Sequence, residues 1–255
     1  MLTEQQIIQY QGATDLLKDR IIFVTGAGDG IGKAAACAFA EAGATVVLAG
    51  RTVAKLEQVY DQIVAANCTQ PLIYPIDLEG AKPEDYEQLA VALDEQFGRL
   101  DGLLLNAGVL GQRTPLSNYR QDVWDKVMQI NMTAQFQMTQ ALMPVLEKSN
   151  DASVVFTTSS VGRQGRAFWG AYAISKFAIE GMVQTWAAEL DGVGSVRINA
   201  INPAPQAPIC ALKPILLKTP IISKRLSKLC LPICFYWDPT ASASMGNQLM
   251  LKFAN

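Results

Sequence analysis

Six short apolar runs alternate with longer helical patterns along the first two hundred residues. That alternation constrains the fold more than any other feature. "RIIFVTG" is a continuous β run closed by a glycine, and "IGKAAACAFAEAGA" behind it spaces apolar residues for a helix that stops at Gly43. "TVVLAG" reads as a second strand and Val53 to Ala66 as a second helix. "PLIYPID" and "LDGLLLNAG" are strands three and four, parted by a helix over about residues 83–97. Tyr119 to Leu146 is one long helical stretch. "ASVVFTTSS" is strand five, Gly170 to Leu190 a helix, and "SVRINAIN" strand six. Strands apolar on both faces belong in a parallel sheet with helices covering each side. Repeated strand-then-helix units predict an α/β chain: a Rossmann-type doubly wound parallel sheet in a three-layer αβα arrangement.

Composition narrows the function classes. Half the residues are hydrophobic and 17% are charged, so a sizeable core can form. A net charge of −2 gives no general attraction to nucleic acid. No run of about 18 apolar residues indicates a membrane span. The N-terminal "MLTEQQIIQYQGATDLLKDR" lacks the basic start and apolar middle of a signal peptide. A cytoplasmic location is expected, and five Cys without CxxC spacing agree with a reducing compartment. The chain has no His, which removes Ser-His-Asp and Cys-His catalysis and most zinc sites.

"VTGAGDGIGKAA" lies between strand one and helix one, where a phosphate-binding loop belongs. Gly26, Gly30 and Gly32 stand in the spacing T-G-x-x-x-G-x-G. Side chains there would block the approach of backbone to a pyrophosphate at a helix N-terminus. The alternative is a glycine-rich turn that only joins strand to helix. Strand two ends in "LAGRT": Gly50 leaves room, and Arg51 offers a guanidinium fork for a ribose 2′-phosphate. This favours NADP(H) over NAD(H), although Asp29 in the loop tempers the preference and Arg51 has a plain solvated reading. Asp77, at the end of strand three, reaches toward an adenine edge. Asn106 and Gly108 in "NAG" would lie against the cofactor.

"GAYAISKFAIEGM" carries Tyr172 and Lys176 at i and i+4, on one helix face. Ser159 lies thirteen residues before Tyr172, in "FTTSSVG", and Asn131 lies in "QINMTAQF". Alone, each signal is weak. Together, in this order and spacing, they resemble the short-chain dehydrogenase/reductase family, over roughly residues 15–203. Within it, "VTGAGDGIG", "SSVGRQGRA" and "WGAYAISKFA" are most similar to the YciK-type bacterial oxidoreductases.

The resemblance implies hydride exchange between NADP(H) and a small carbonyl or alcohol substrate. Tyr172 would act as general acid or base, Lys176 and the nicotinamide charge would lower its pKa, and Lys176 would also hold the nicotinamide ribose. Ser159 would hydrogen-bond the substrate oxygen, with Ser160 as the near alternative. Asn131 would position a water in a proton relay behind Lys176. Ile31, Leu78, Ala107 and Pro203 would complete the cofactor contacts, and a homodimer or homotetramer is expected. "VLGQRTPLS" and "RQGRAFWG" would line the pocket mouth. There Phe168 and Trp169 either form an apolar wall or serve packing or subunit contacts.

The family pattern stops at Pro203. A Gly and then a Thr are expected next, followed by a substrate lid and a last strand; "APQAPICALKP" stands there instead. Residues 1–203 hold 15 basic and 22 acidic residues, whereas residues 204–255 hold 6 and 1, with six prolines and one glycine. Read with one base restored after Pro203, the tail can encode a family-like ending. Trp237-Asp238 and Met245-Gly246 each force a glycine in that frame. The expected organisation is a nucleotide-binding and catalytic domain over 1–203 and a frameshifted tail over 204–255. Such a tail would impair turnover, leaving nucleotide binding as the alternative function. Resequencing the coding DNA decides the point: an intact in-frame reading of the Ala204-Pro205-Gln206 codons contradicts it.

Overall fold

A computed structural model describes residues 15–203. The expectations for residues 204–255 lie outside the described residues. Within them, six strands pair in the order β3-β2-β1-β4-β5-β6 and every pairing is parallel. The strands are β1 (Ile21–Thr25), β2 (Thr45–Gly50), β3 (Leu72–Pro75), β4 (Gly102–Leu105), β5 (Ala152–Thr157) and β6 (Val196–Ile201). The helices are α1 (Gly30–Glu41), α2 (Val53–Ala65), α3 (Pro83–Phe97), α4 (Gln121–Met128), α5 (Ala134–Leu146) and α6 (Gly170–Glu189). The expected doubly wound fold is present, with the strand order reversing between β1 and β4.

The inner strands bury residues on both faces, whereas the edge strand β3 is only half-buried. Ile22 and Val24 of β1 pack with Phe39 of α1 and Leu56, Val59 and Ile63 of α2. Ile21 and Phe23 turn to the other side, against Tyr86 and Leu89 of α3, Met138 and Leu142 of α5 and Ile179 and Val183 of α6. These two clusters form the three layers. β1 is buried along its whole length, as the near-continuous apolar run requires.

The single long helix expected over residues 119–146 is two helices. α4 and α5 are joined by a π-turn, Gln129–Thr133, in which Ala134 N donates to the Gln129 carbonyl. The apolar spacing runs through this junction, so periodicity does not mark it. Asn131 sits on the π-turn and is fully buried.

The amino ends of the strands are tied by charge. Asp101, 4% exposed, accepts from Ile21 N at 2.9 Å, Ser149 Oγ at 2.7 Å and Arg99 Nε at 3.1 Å. Asp151 beside it binds Arg20 and Arg197. Asp101 therefore joins the start of β1, the start of β4 and the turn before β5. Removing it orphans a main-chain N–H and a hydroxyl that water cannot reach. Asp101→Ala is expected to lower unfolding free energy by about 2–4 kcal/mol in urea titrations, with Asp101→Asn losing less.

Candidate active site

At the carboxyl ends of β1 and β4 no ion pair among the described residues ties the two strands together. There β1 and β4 diverge, and polar groups and glycines face the gap. Thr25, the last residue of β1, is 1% exposed. Its hydroxyl donates to Leu104 O at 3.2 Å and accepts from Asn106 N at 2.9 Å and Ala107 N at 3.1 Å. Asn106 Nδ2 lies 3.4 Å from Thr25 O, and Asn106 Oδ1 accepts from Thr157 Oγ1 at 3.4 Å. Gln135 Nε2 donates to Ala107 O at 2.9 Å. The "NAG" segment is thus stitched to β1, β5 and α5 before α4 begins.

The three motif glycines differ in what they do. Gly26 has φ +67°, and a Cβ there would lie 3.1 Å from Ala107 Cα. Gly32 touches the strand itself: a Cβ would lie 2.7 Å from Asn106 Nδ2 and closer still to Gly26 O. Gly30 has φ +54° with nothing within 4 Å of its Cβ position. So Gly32 serves helix-to-strand packing, and Gly30 is the one that leaves open space at the start of α1. Ile31 follows it, half-buried against the α1–α2 core.

Charges gather at the far side of this loop. Asp29 caps α1, accepting from Gly30 N at 2.9 Å, and pairs with Lys55 Nζ at 2.8 Å. Arg51 is largely exposed and lies 4.0 Å from Glu79, which Lys126 also binds. Asp77 is exposed and accepts from Glu79 N at 3.2 Å, while Leu78 is buried. Lys55 carried no sequence signal, because nothing in "TVAKLEQVY" tells a surface lysine from one aimed at Asp29.

Lys176 is the fixed point of the other half of the site. It is 3% exposed, and its Nζ donates to Thr157 O at 2.6 Å. Gly162 permits this burial: a Cβ there would lie 2.8 Å from the Lys176 carbonyl. Burial holds the Lys176 ammonium well below its ordinary range, at about 8. Tyr172 lies one turn earlier, with Lys176 Nζ 5.7 Å from its ring centre. Ser159 is hydrogen-bonded to Tyr172. Ser160 instead opens a 3₁₀ turn, its carbonyl accepting from Arg163 N and Gln164 N. Of the two serines, the geometry therefore brings Ser159 to the tyrosine.

Tyr172 and Asn131 are each held by specific neighbours within the chain. Lys176 was expected to lower the Tyr172 pKa, yet burial pushes that phenol above its usual range, and only the Ser159 hydrogen bond pulls it back. Lys176 spends a hydrogen bond on Thr157, and its own charge is disfavoured by burial. Asn131 was expected to hold a water. Its Nδ2 donates to Val109 O at 2.9 Å and Ser175 Oγ at 3.1 Å, and its Oδ1 accepts from Val109 N at 2.8 Å. The side chain clamps β4's exit to α6. Gly108 lies beside both groups: its Cβ position is 3.4 Å from Asn131 Oδ1 and 3.9 Å from Lys176 Nζ.

Ser175 completes the clamp, donating to Tyr172 O at 2.8 Å. Thr25, Thr157 and Ser175 were not singled out from sequence, although all three stand inside stretches quoted for their neighbours. Pro203 follows β6, half-buried. The Trp169 ring lies 5.9 Å from that of Tyr172, tilted by 45°, and under Arg113, so it packs within the chain, whereas Phe168 is exposed. Among the described residues no group of three potential metal ligands occurs, and no helix is long and apolar enough to cross a membrane.

The short chain dehydrogenase family profile matches residues 20–208. The chain belongs to the short chain dehydrogenase family. Among its relatives, the oxidoreductase YciK of Escherichia coli K12 is 52% identical over 196 residues, 77% of each chain. A short chain dehydrogenase from Shigella flexneri superposes with a TM-score of 0.84 at 45% identity, covering 92% of this chain and 91% of that one. A chain from Escherichia coli CFT073, described as a short chain dehydrogenase and solved with NADPH, gives 0.84 at 44% identity, covering 94% and 98%. Family membership agrees with the parallel sheet and its strand order.

The buried lysine has a measurable consequence. Its folded pKa lies below the unfolded value of about 10.5. Between about pH 8 and 10.5 the unfolded chain therefore binds more protons, and stability rises with pH; below pH 8 the burial cost is felt in full. Lys176→Met is expected to compare better with the wild type at pH 7 than at pH 10.5, by on the order of 3 kcal/mol of unfolding free energy. Equal differences at the two pH values contradict this assignment.

Proposed function

We propose that this chain carries out hydride exchange between NADP(H) and a carbonyl or alcohol substrate, with Tyr172 as the general acid or base. The observation that carries this reading is the Ser159–Tyr172–Lys176 cluster beside Gly108, at the sheet end where the open Gly30 turn and the Asn106 segment converge. The loop fits a dinucleotide: Gly30, at φ +54°, leaves open space at the N-terminus of α1, although Asp29 already caps the Gly30 N–H there. Gly26, Asp29, Gly30, Ile31 and Gly32 would hold the pyrophosphate end. Asp77 and Leu78 would hold the adenine, and Asn106, Ala107, Gly108 and Pro203 the nicotinamide half. When bound, the cofactor supplies a hydride to the carbonyl carbon or accepts one from the alcohol carbon.

The residues of the chain handle the proton and the charge. In reduction Tyr172 donates its phenolic proton to the substrate oxygen. Burial raises the Tyr172 pKa and the Ser159 hydrogen bond opposes that shift, so the phenol enters the reaction protonated. Ser159 hydrogen-bonds the same oxygen as negative charge grows on it. Lys176 holds the ribose and lies at the inner end of the proton path. A water behind Lys176 would be held by the Asn131 main chain, since its amide is spent and the π-turn interrupts the regular helical ladder there.

Preference for NADP(H) over NAD(H) rests on Arg51, whose exposed guanidinium is held only at 4.0 Å from Glu79 and can reach a phosphate. Cytoplasmic residence and a homo-oligomer built on the helices that carry Asn131 and Tyr172 complete the reading. A second reading, nucleotide binding with impaired turnover, is favoured by the loss of the family pattern after Pro203, near residue 208 where the family match ends.

NADPH fluorescence titration together with reduction of a carbonyl panel separates the two readings. The first expects turnover that Tyr172→Phe cuts by about 10²–10⁴-fold, with NADPH affinity kept and NADH bound more weakly. Binding without turnover supports the second. Absence of NADPH binding contradicts both.

A further inference from the structure

Next to Tyr172 the chain builds a rigid platform that the proposed reaction does not use. Phe168, a bulky residue, is held at φ +69°, where side chains other than glycine are rarely found. The strained turn leads into Trp169 and then Gly170, at φ +37°. Gly170 has no room for a side chain, because a Cβ there would lie 2.7 Å from Tyr119 Cδ2. Tyr119 also accepts from Gln112 N at 3.1 Å through its hydroxyl. One tyrosine thereby fixes both the turn that precedes α6 and the loop that follows β4. Strain of this kind persists only where the surroundings impose it, and it concentrates at functional sites.

The platform presents an arginine. Arg113, next to Gln112, lays its guanidinium 4.8 Å from the centre of the Trp169 ring. The other neighbour of that ring is Tyr172, at 5.9 Å. Most arginines of the described chain face a carboxylate: Arg20, Arg51, Arg99, Arg120, Arg163 and Arg197 each lie within 4.0 Å of one. Arg113 meets no carboxylate among the described residues, and its side chain is exposed. A guanidinium held over an aromatic face can still offer N–H groups to a ligand, and its fork matches a carboxylate or phosphate in two parallel hydrogen bonds.

We propose that Arg113 is a specificity residue, and that the substrate is a carbonyl or alcohol compound bearing an anionic group a few bonds from the reacting carbon. Trp169 sets the spacing, since a ligand spanning from Arg113 to Tyr172 crosses one indole. Carboxylate and phosphate share this chemistry, so both enter the test. This inference rests on the reading of Tyr172 as the reacting centre, and it adds the class of molecule that the centre accepts.

The test uses the full chain loaded with NADPH, and it reads binding so that slow turnover does not hide the result. Two matched pairs are titrated by calorimetry: 4-oxopentanoate against its methyl ester, and dihydroxyacetone phosphate against dihydroxyacetone. At least one anionic partner is expected to bind tenfold or more tightly than its neutral match, and the pair that shows it identifies the anion. Arg113→Gln is expected to bring the two dissociation constants within about threefold, and Arg113→Lys to restore only part of the gap. NADPH affinity, followed by its own fluorescence, reports separately on the oxidoreductase reading. Equal affinities within both pairs, absence of binding in both, or a preference that survives Arg113→Gln overturns the proposal.

Discussion

Everything at the functional end of this molecule depends on how one threonine closes the parting of β1 from β4. Where strand order reverses, the two chains leave in opposite directions and their main-chain groups lose their sheet partners. Thr25 takes up that deficit, accepting from Asn106 N and Ala107 N and donating to Leu104 O. The parting stays open above it, and Gly26 and Gly32 can approach "NAG" as closely as they do. A buried hydroxyl making three hydrogen bonds contributes more through what it prevents, two orphaned N–H groups, than through its own net bond energy.

The two ends of the sheet therefore do different work. At the amino ends, Asp101 and Asp151 gather Arg20, Arg99 and Arg197 and tie strand starts together. At the carboxyl ends the binding groups are hydroxyls, amides and main-chain atoms, and the one buried cation, Lys176, is held by a carbonyl rather than a carboxylate. The cost is a lysine whose charge is disfavoured by burial and a tyrosine whose ionisation is disfavoured in the same way.

Much of this was legible in the sequence, for identifiable reasons. Continuous apolar runs mark the inner strands β1, β2, β4 and β5, because a strand covered on both faces need not alternate, whereas β6 alternates as an outer strand does. Tyr172 and Lys176 share a face because helix geometry requires it at i and i+4. The π-turn at Asn131 was hidden, since a bulge of one residue hardly disturbs apolar spacing. Asn131's true partners, Val109 and Ser175, lie 22 and 44 residues away, and no local pattern encodes them. Burial of Tyr172, which raises its pKa in the chain alone, is not reported by spacing. The two stretches that hold Arg113 and Trp169 were expected together at the pocket mouth, but the contact of the guanidinium with the indole depends on tertiary packing that includes Tyr119 against Gly170.

The central claim is that the nucleotide site forms at the carboxyl end of β1 and β4, on residues 26–32 and 106–109. Amide hydrogen exchange with and without NADPH tests it directly, and it does so whatever the turnover. The account predicts NADPH-dependent protection in the Gly26–Gly32 loop and the Asn106–Val109 segment, with little change around Arg20, Asp101 and Asp151. Protection confined to the amino ends of the strands, or none at either end under saturating NADPH, would contradict it.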